Sequence, residues 1–184
     1  MSDPLALDVP DAAPVTPDPL DWAAALAQPC PVCGFSAADV DAAHVADALV
    51  AAVAPWQEVL ARPDVRVRPQ KGRWAPLEYA CHVQDLAVVV AARIDLVLDV
   101  DEPLVEDWDQ NLAALDGAYL SQDPREQAEE LAGVTEMIVA RLERVGDPQW
   151  SRVARTSRGQ RVTLREVVLR LVHDARHHLV ELTA

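Results

Sequence analysis

From Pro76 to about Leu98 the chain reads as one helix whose apolar residues fall on nearly every side, broken by Glu78, His82 and Asp85. A rod that is apolar all round must be covered by several neighbours. The rest of the chain supplies them. Val45, Leu49, Val53, Trp56 and Leu60 recur at helical spacing until Arg62-Pro63 and predict a first long helix. Pro76 sits well for the first turn of the second. Asp123-Pro124 opens a third, running to about Val145 before Gly146-Asp147-Pro148. Thr163 and Glu166 have capping-box spacing and open a fourth, to about Leu182. Four long helices without a convincing strand pattern predict an all-α four-helix bundle with one or two long connections. Residues 103–120 read as mixed, with a short helix and with Trp108 and Tyr119 covering the core, while Gln149 to Val162 is basic and extended.

The boundaries follow composition. Residues 1–19 carry five prolines and four aspartates with no base, and are expected to form a disordered tail. A segment over 20–36, containing Cys-x-x-Cys, is expected to pack on a bundle formed by 37–184. At 184 residues, about half of them apolar, the chain can bury a sizeable core. Its formal charge of −14 argues against nucleic acid or an anionic membrane as partner. The lack of a leader-like N-terminus or a run of ~20 apolar residues predicts a cytoplasmic protein. The expected partner is a small-molecule substrate, and a homodimer is left open.

Polar residues on apolar helices carry the chemistry. Glu78, His82 and Asp85 form one stripe on the second helix, and His173 and His177 stand at i, i+4 on the fourth, a spacing at which two imidazoles can converge on one ion. His82 is the expected third ligand. On a helical wheel the pair points away from the main apolar stripe of Leu164, Val168, Leu171, Ala175, Leu179 and Leu182, toward the thinner strip of Leu169 and Val180, which predicts an open-sided groove. Glu78 and Asp85 are candidate bases or supports for His82. Among the arginines from 152 to 165, Arg158 and Arg161 are candidates to hold an anionic substrate. His44 and Cys81 read as structural.

The stretch Trp74 to Asp85, WAPLEYACHVQD, followed by LVHDARHHL from Leu171 to Leu179, resembles the DinB/YfiT-like superfamily. The resemblance covers roughly residues 37–182 and rests on the order and spacing of both motifs together. It implies an up-down-down-up four-helix bundle and a divalent metal, zinc first and nickel second, on His82, His173 and His177. Many relatives carry the double histidine one place earlier; aligning that pair makes Asp174 and His178 the ligands instead. The superfamily includes hydrolases and S-transferases that use mycothiol or bacillithiol, so a low-molecular-weight thiol is an expected cosubstrate.

Cys30-Pro31-Val32-Cys33-Gly34 resembles half of a zinc knuckle. The two thiolates could form a redox pair, a second metal site, or a shared Cys₂His₂ centre with His82 and His177 if the segment folds over the groove. Two classes of function therefore stand: a metal-dependent thiol transferase or hydrolase with an open coordination site, and a metal-stabilised structural or binding protein with a closed one.

Overall fold

The computed structural model describes residues 26–183, so the expected tail over 1–19 lies outside the described residues. The helical elements are α1 (Val45–Val53), α2 (Trp56–Leu60), α3 (Pro76–Asp99), α4 (Gln110–Asp116), α5 (Pro124–Leu142) and α6 (Leu164–Glu181). The expected first helix is thus two pieces. Pro55 stands between them; it has no N–H to donate and its ring crowds the preceding turn, so the apolar period continues while the backbone ladder is interrupted.

Helix starts follow local chemistry. The Thr163 hydroxyl accepts from the Glu166 N–H while Glu166 Oε2 accepts from the Thr163 N–H at 2.7 Å, completing the box at the start of α6. Asp123 accepts from the N–H groups of Arg125 and Glu126 beside Pro124 and does the same for α5.

α3 packs against both α5 and α6, and α1 packs against the same two. The first and second long elements of the chain therefore stand on opposite diagonals of the bundle, which is why a long connection, residues 61–75, separates them. Leu49, Trp56, Leu77, Ile94, Leu131, Ile138, Leu164, Leu169 and Leu171 are among the fully buried side chains at the centre. Each contributes about 1.5–3 kcal/mol relative to exposure. Trp56 also donates its indole N–H to the Ala175 carbonyl of α6 at 3.1 Å.

The connections hold a small sheet that the sequence reading lacked. β1 (Leu104–Val105) runs parallel to β2 (Val153–Thr156), which pairs antiparallel with β3 (Arg161–Thr163) in the register Ala154↔Val162. Strands of two to four residues are too short to show alternation. Gly159, at φ +77°, makes the β2–β3 turn. β3 ends where α6 begins, so the hairpin is anchored to the helix that carries the histidine pair.

Candidate metal centres

α6 is buried over more of its circumference than its main apolar stripe predicts. His173, His177 and His178 are only 3, 2 and 6% exposed. The expected open groove is covered by Cys30 to Ala37, whose Cys30, Cys33, Phe35 and Ala37 are themselves buried. This segment lies some 140 residues away in sequence, so no helical wheel of α6 could reveal it.

Among the described residues, His82 does not meet His173 and His177 around one point. The side chains sort into two adjacent groups. In the first, ligand atoms of His82, Asp174 and His178 lie within 4.8 Å of one another, with His82 Nε2 3.9 Å from Asp174 Oδ2. In the second, Cys30, Cys33, His173 and His177 meet within the same limit. The thiols thus join His173 and His177 rather than His82.

The first group is formed where α3 faces α6. His82, 1% exposed, lies between Trp74, at 5.4 Å between ring centroids, and Trp108, stacked at 5.5 Å and 13°. Neither of its ring nitrogens has a hydrogen-bond partner. A buried polar atom left so costs about 1–3 kcal/mol unless something binds it. Burial, with the neighbouring His178 adding to it, pushes the His82 pKa down to about 3, so the imidazole is neutral, as a metal ligand must be. Burial works to raise the Asp174 carboxyl, but the Arg170 guanidinium, followed by His173, holds it well below the usual carboxylate range. Arg170 Nε donates to Asp174 Oδ2 at 2.9 Å. His178 Nδ1 is 2.7 Å from Glu181 Oε2, which fixes the ring.

Asp174 and His178 of this group line a cavity of about 430 Å³ together with His173, Trp108, Arg93, Arg158, Arg170 and the 105–111 segment, whose Glu106, Asp107 and Asp109 set carboxylates beside the arginines. Arg158 is therefore where an anion-binding residue is needed, although it also lies 3.7 Å from Asp107. Arg161 is not among the lining residues and pairs with Glu102 at 2.7 Å. Arg93 and Arg170 were missed from the sequence because each is isolated among apolar neighbours and belongs to no basic run.

Glu78 and Asp85 are otherwise engaged. Glu78 is buried at the start of α3; Oε2 accepts from the Ala75 N–H at 2.8 Å, and Arg68 takes both carboxylate oxygens at 2.6 and 2.8 Å. That is a helix cap and a clamp on the 61–75 connection. Asp85 accepts the Tyr119 hydroxyl at 2.5 Å. Cys81 is buried with its thiol 3.9 Å from the Tyr119 carbonyl. His44 is exposed in a 3₁₀ turn.

The second group is a turn laid on a helix. Gly34 at φ +67° lets its N–H reach the Cys30 carbonyl at 2.8 Å, while the Cys30 N–H donates to the Phe35 carbonyl at 2.8 Å. Burial pushes the Cys30 thiol up, but the N–H groups of Cys33 and Val32 and the imidazoles of His173 and His177 outweigh it and bring its pKa down to about 6. His177 Nδ1 is 3.5 Å from Cys30 Sγ. The buried Nε2 of His173 has no hydrogen-bond partner. A third combination, His177, His178 and Glu181, reuses one histidine of each group, and Glu181 serves there as the shared acceptor.

The described residues include no helix long and apolar enough to cross a membrane. No curated protein matches the sequence. A solved structure, described as YfiT from Bacillus subtilis, a probable metal-dependent hydrolase with an unusual four-helix bundle topology, is similar with a TM-score of 0.69 at 18% identity, over 77% of this chain and 85% of that one. At that identity the likeness speaks for the fold. A family model described as the DinB superfamily matches residues 62–182, which include α3, α5, α6 and the whole His82, Asp174 and His178 group. With the four-helix architecture and the position of that group between α3 and α6, this match shows that the chain belongs to the DinB superfamily.

Proposed function

We propose that the chain is a metal-dependent enzyme acting on a small anionic molecule, with a divalent ion, zinc foremost, held by His82, Asp174 and His178. The observation that carries this reading is a buried imidazole with both nitrogens unpartnered, grouped with a carboxylate and a second imidazole that line a cavity shared by Arg93, Arg158 and Arg170. Two imidazoles and a carboxylate are a donor set that zinc hydrolases use, and three ligands leave a coordination position for substrate. When bound there, the ion supplies Lewis acidity, polarising a carbonyl and making a nucleophilic water or thiol available near neutral pH.

The chain's own residues do the rest. Trp108 and Trp74 hold the His82 ring between them and keep water off it. Glu181 fixes the tautomer of His178 through Nδ1. Arg170 orients the Asp174 carboxylate, and Arg93 and Arg158 present positive charge toward the cavity, where an anionic substrate group would lie. The reaction class is nucleophilic displacement at a polarised centre, either hydrolysis or transfer to a low-molecular-weight thiol. A mycothiol-type cosubstrate is the transfer arm of the proposal.

The test is a screen of small carboxylate-bearing amides, esters and thiol-reactive electrophiles with zinc-loaded protein, with and without mycothiol. His82→Ala and His178→Ala are expected to lose one ion and turnover together. Acceleration only in the presence of the thiol selects transfer, and thiol-independent turnover selects hydrolysis. Unchanged ion content in both variants would overturn the assignment.

A further inference from the structure

The enzyme reading uses one of the two ligand groups and leaves the other without a role. We propose that Cys30, Cys33, His173 and His177 form a second, closed Cys₂His₂ zinc centre, which straps the N-terminal segment across the bundle.

The geometry supports four ligands and no open position. A tetrahedral ion with Zn–S of about 2.3 Å and Zn–N of about 2.05 Å places sulfur and nitrogen about 3.5 Å apart. The separation of Cys30 Sγ and His177 Nδ1 is 3.5 Å. His173 offers Nε2, buried without a hydrogen-bond partner, while its Nδ1 is held 3.3 Å from Asp174 Oδ1. His177 offers Nδ1, and its Nε2 lies 3.8 Å from Glu181 Oε2. His173 thus has a carboxylate hydrogen-bonded behind the nitrogen that does not face the thiols, the arrangement that orients metal-bound histidines. The Cys-Pro-Val-Cys-Gly turn supplies the half-site in which Gly34 takes a positive φ so that two thiols face the same way. All three cysteines are free, so Cys30 and Cys33 can serve as thiolate ligands, and zinc binding would release to solvent whatever protons the two still carry.

This site adjoins the cavity that His173 also lines, and it differs from the cavity site in its ligands and in consequence. Cys30 and His177 are 147 residues apart, so an ion joining them closes almost the whole chain into one loop. It also holds Phe35 against His173, at 5.5 Å between ring centroids, and so keeps the cover on α6. The histidine pair that sequence spacing offers as the catalytic pair is then structural, and His173 meets the cavity as the neighbour of Asp174 and His178.

The full-length protein, purified without chelator, is expected to carry about two zinc ions per chain by elemental analysis. The double variant Cys30→Ser/Cys33→Ser should fall to about one, and His178→Ala should also fall to about one. Replacing zinc by cobalt should give thiolate-to-cobalt charge-transfer absorption in the wild type and in His178→Ala, and none in the double cysteine variant. Should that variant fail to fold, titrating the wild type with a mercurial thiol reagent in the presence of a zinc indicator should release one ion per two modified thiols. Absence of thiolate-to-cobalt absorption in the wild type, or no zinc release on thiol modification, would overturn the proposal. Because His178→Ala removes a ligand of the cavity site and leaves all four ligands of the thiol site in place, failure of either centre is read separately.

Discussion

His173 and Asp174 are consecutive residues of α6 that belong to different ligand groups, and His173 Nδ1 lies 3.3 Å from Asp174 Oδ1. One carboxylate therefore serves two places: Oδ1 steadies the imidazole beside the thiols, while Oδ2 faces His82 and takes Arg170. Asp174→Asn removes the charge that both rely on. It is expected to lose the cavity ion and also to weaken zinc at the thiol site by roughly 10–100-fold. Competition with a chromophoric chelator measures the second effect, and an unchanged affinity there would show that the contact does not tune His173.

Glu78 should behave as a structural residue. Glu78→Gln leaves Arg68 facing a neutral amide and weakens the bond from the Ala75 N–H. A loss of about 2–3 kcal/mol in urea unfolding is expected, with ion content retained in the folded protein. A selective loss of turnover at unchanged stability would restore Glu78 as a catalytic base.

Cys30 and Cys81 should separate by pH. Burial, with the carboxylates of Asp85, Glu78 and Glu130 adding to it, pushes Cys81 up to about 12, whereas Cys30 is brought down to about 6. Thiolate is the reactive form, so in metal-free protein the alkylation of Cys30 should rise as pH climbs through about 6 and then level. Cys81 should stay unmodified up to about pH 10 until the chain is unfolded. Mass spectrometry of alkylated peptides distinguishes them, and early labelling of Cys81 in native protein would contradict its raised pKa.

Trp56 links α2 to α6 through the Ala175 carbonyl. Trp56→Phe removes the N–H while keeping much of the ring volume and should cost about 1–2 kcal/mol; Trp56→Ala should cost about 3–5 kcal/mol. Denaturant midpoints at constant slope give both values, and a cost below about 0.5 kcal/mol for Trp56→Ala would contradict the burial of its indole in the core.

Much of this architecture was legible because it depends on neighbours in sequence. The Thr163 and Glu166 box, the Asp123-Pro124 start and the all-apolar α3 all appear where local chemistry places them. Pro55 was equally local, yet the apolar period running through it concealed the break. The site was legible in composition and not in partition. Spacing brings His173 and His177 to one side of α6, but which residues stand opposite depends on Cys30 and His82, which arrive from distant parts of the chain. Aligning the double histidine instead brought out Asp174 and His178, the pair that the structure places with His82.

The β2–β3 hairpin divides two demands that a binding site usually sets against each other. Its base runs straight into α6 at Thr163, so the helix bearing the ligands starts from a fixed point. Its tip, at Ser157 to Gln160, carries Arg158 into the cavity lining, and the space around Gly159 is open. A turn that is lengthened or recharged there changes what the mouth admits without moving a single metal ligand. A four-residue tip thus sets the border of the cavity independently of the helices that carry the two ligand groups.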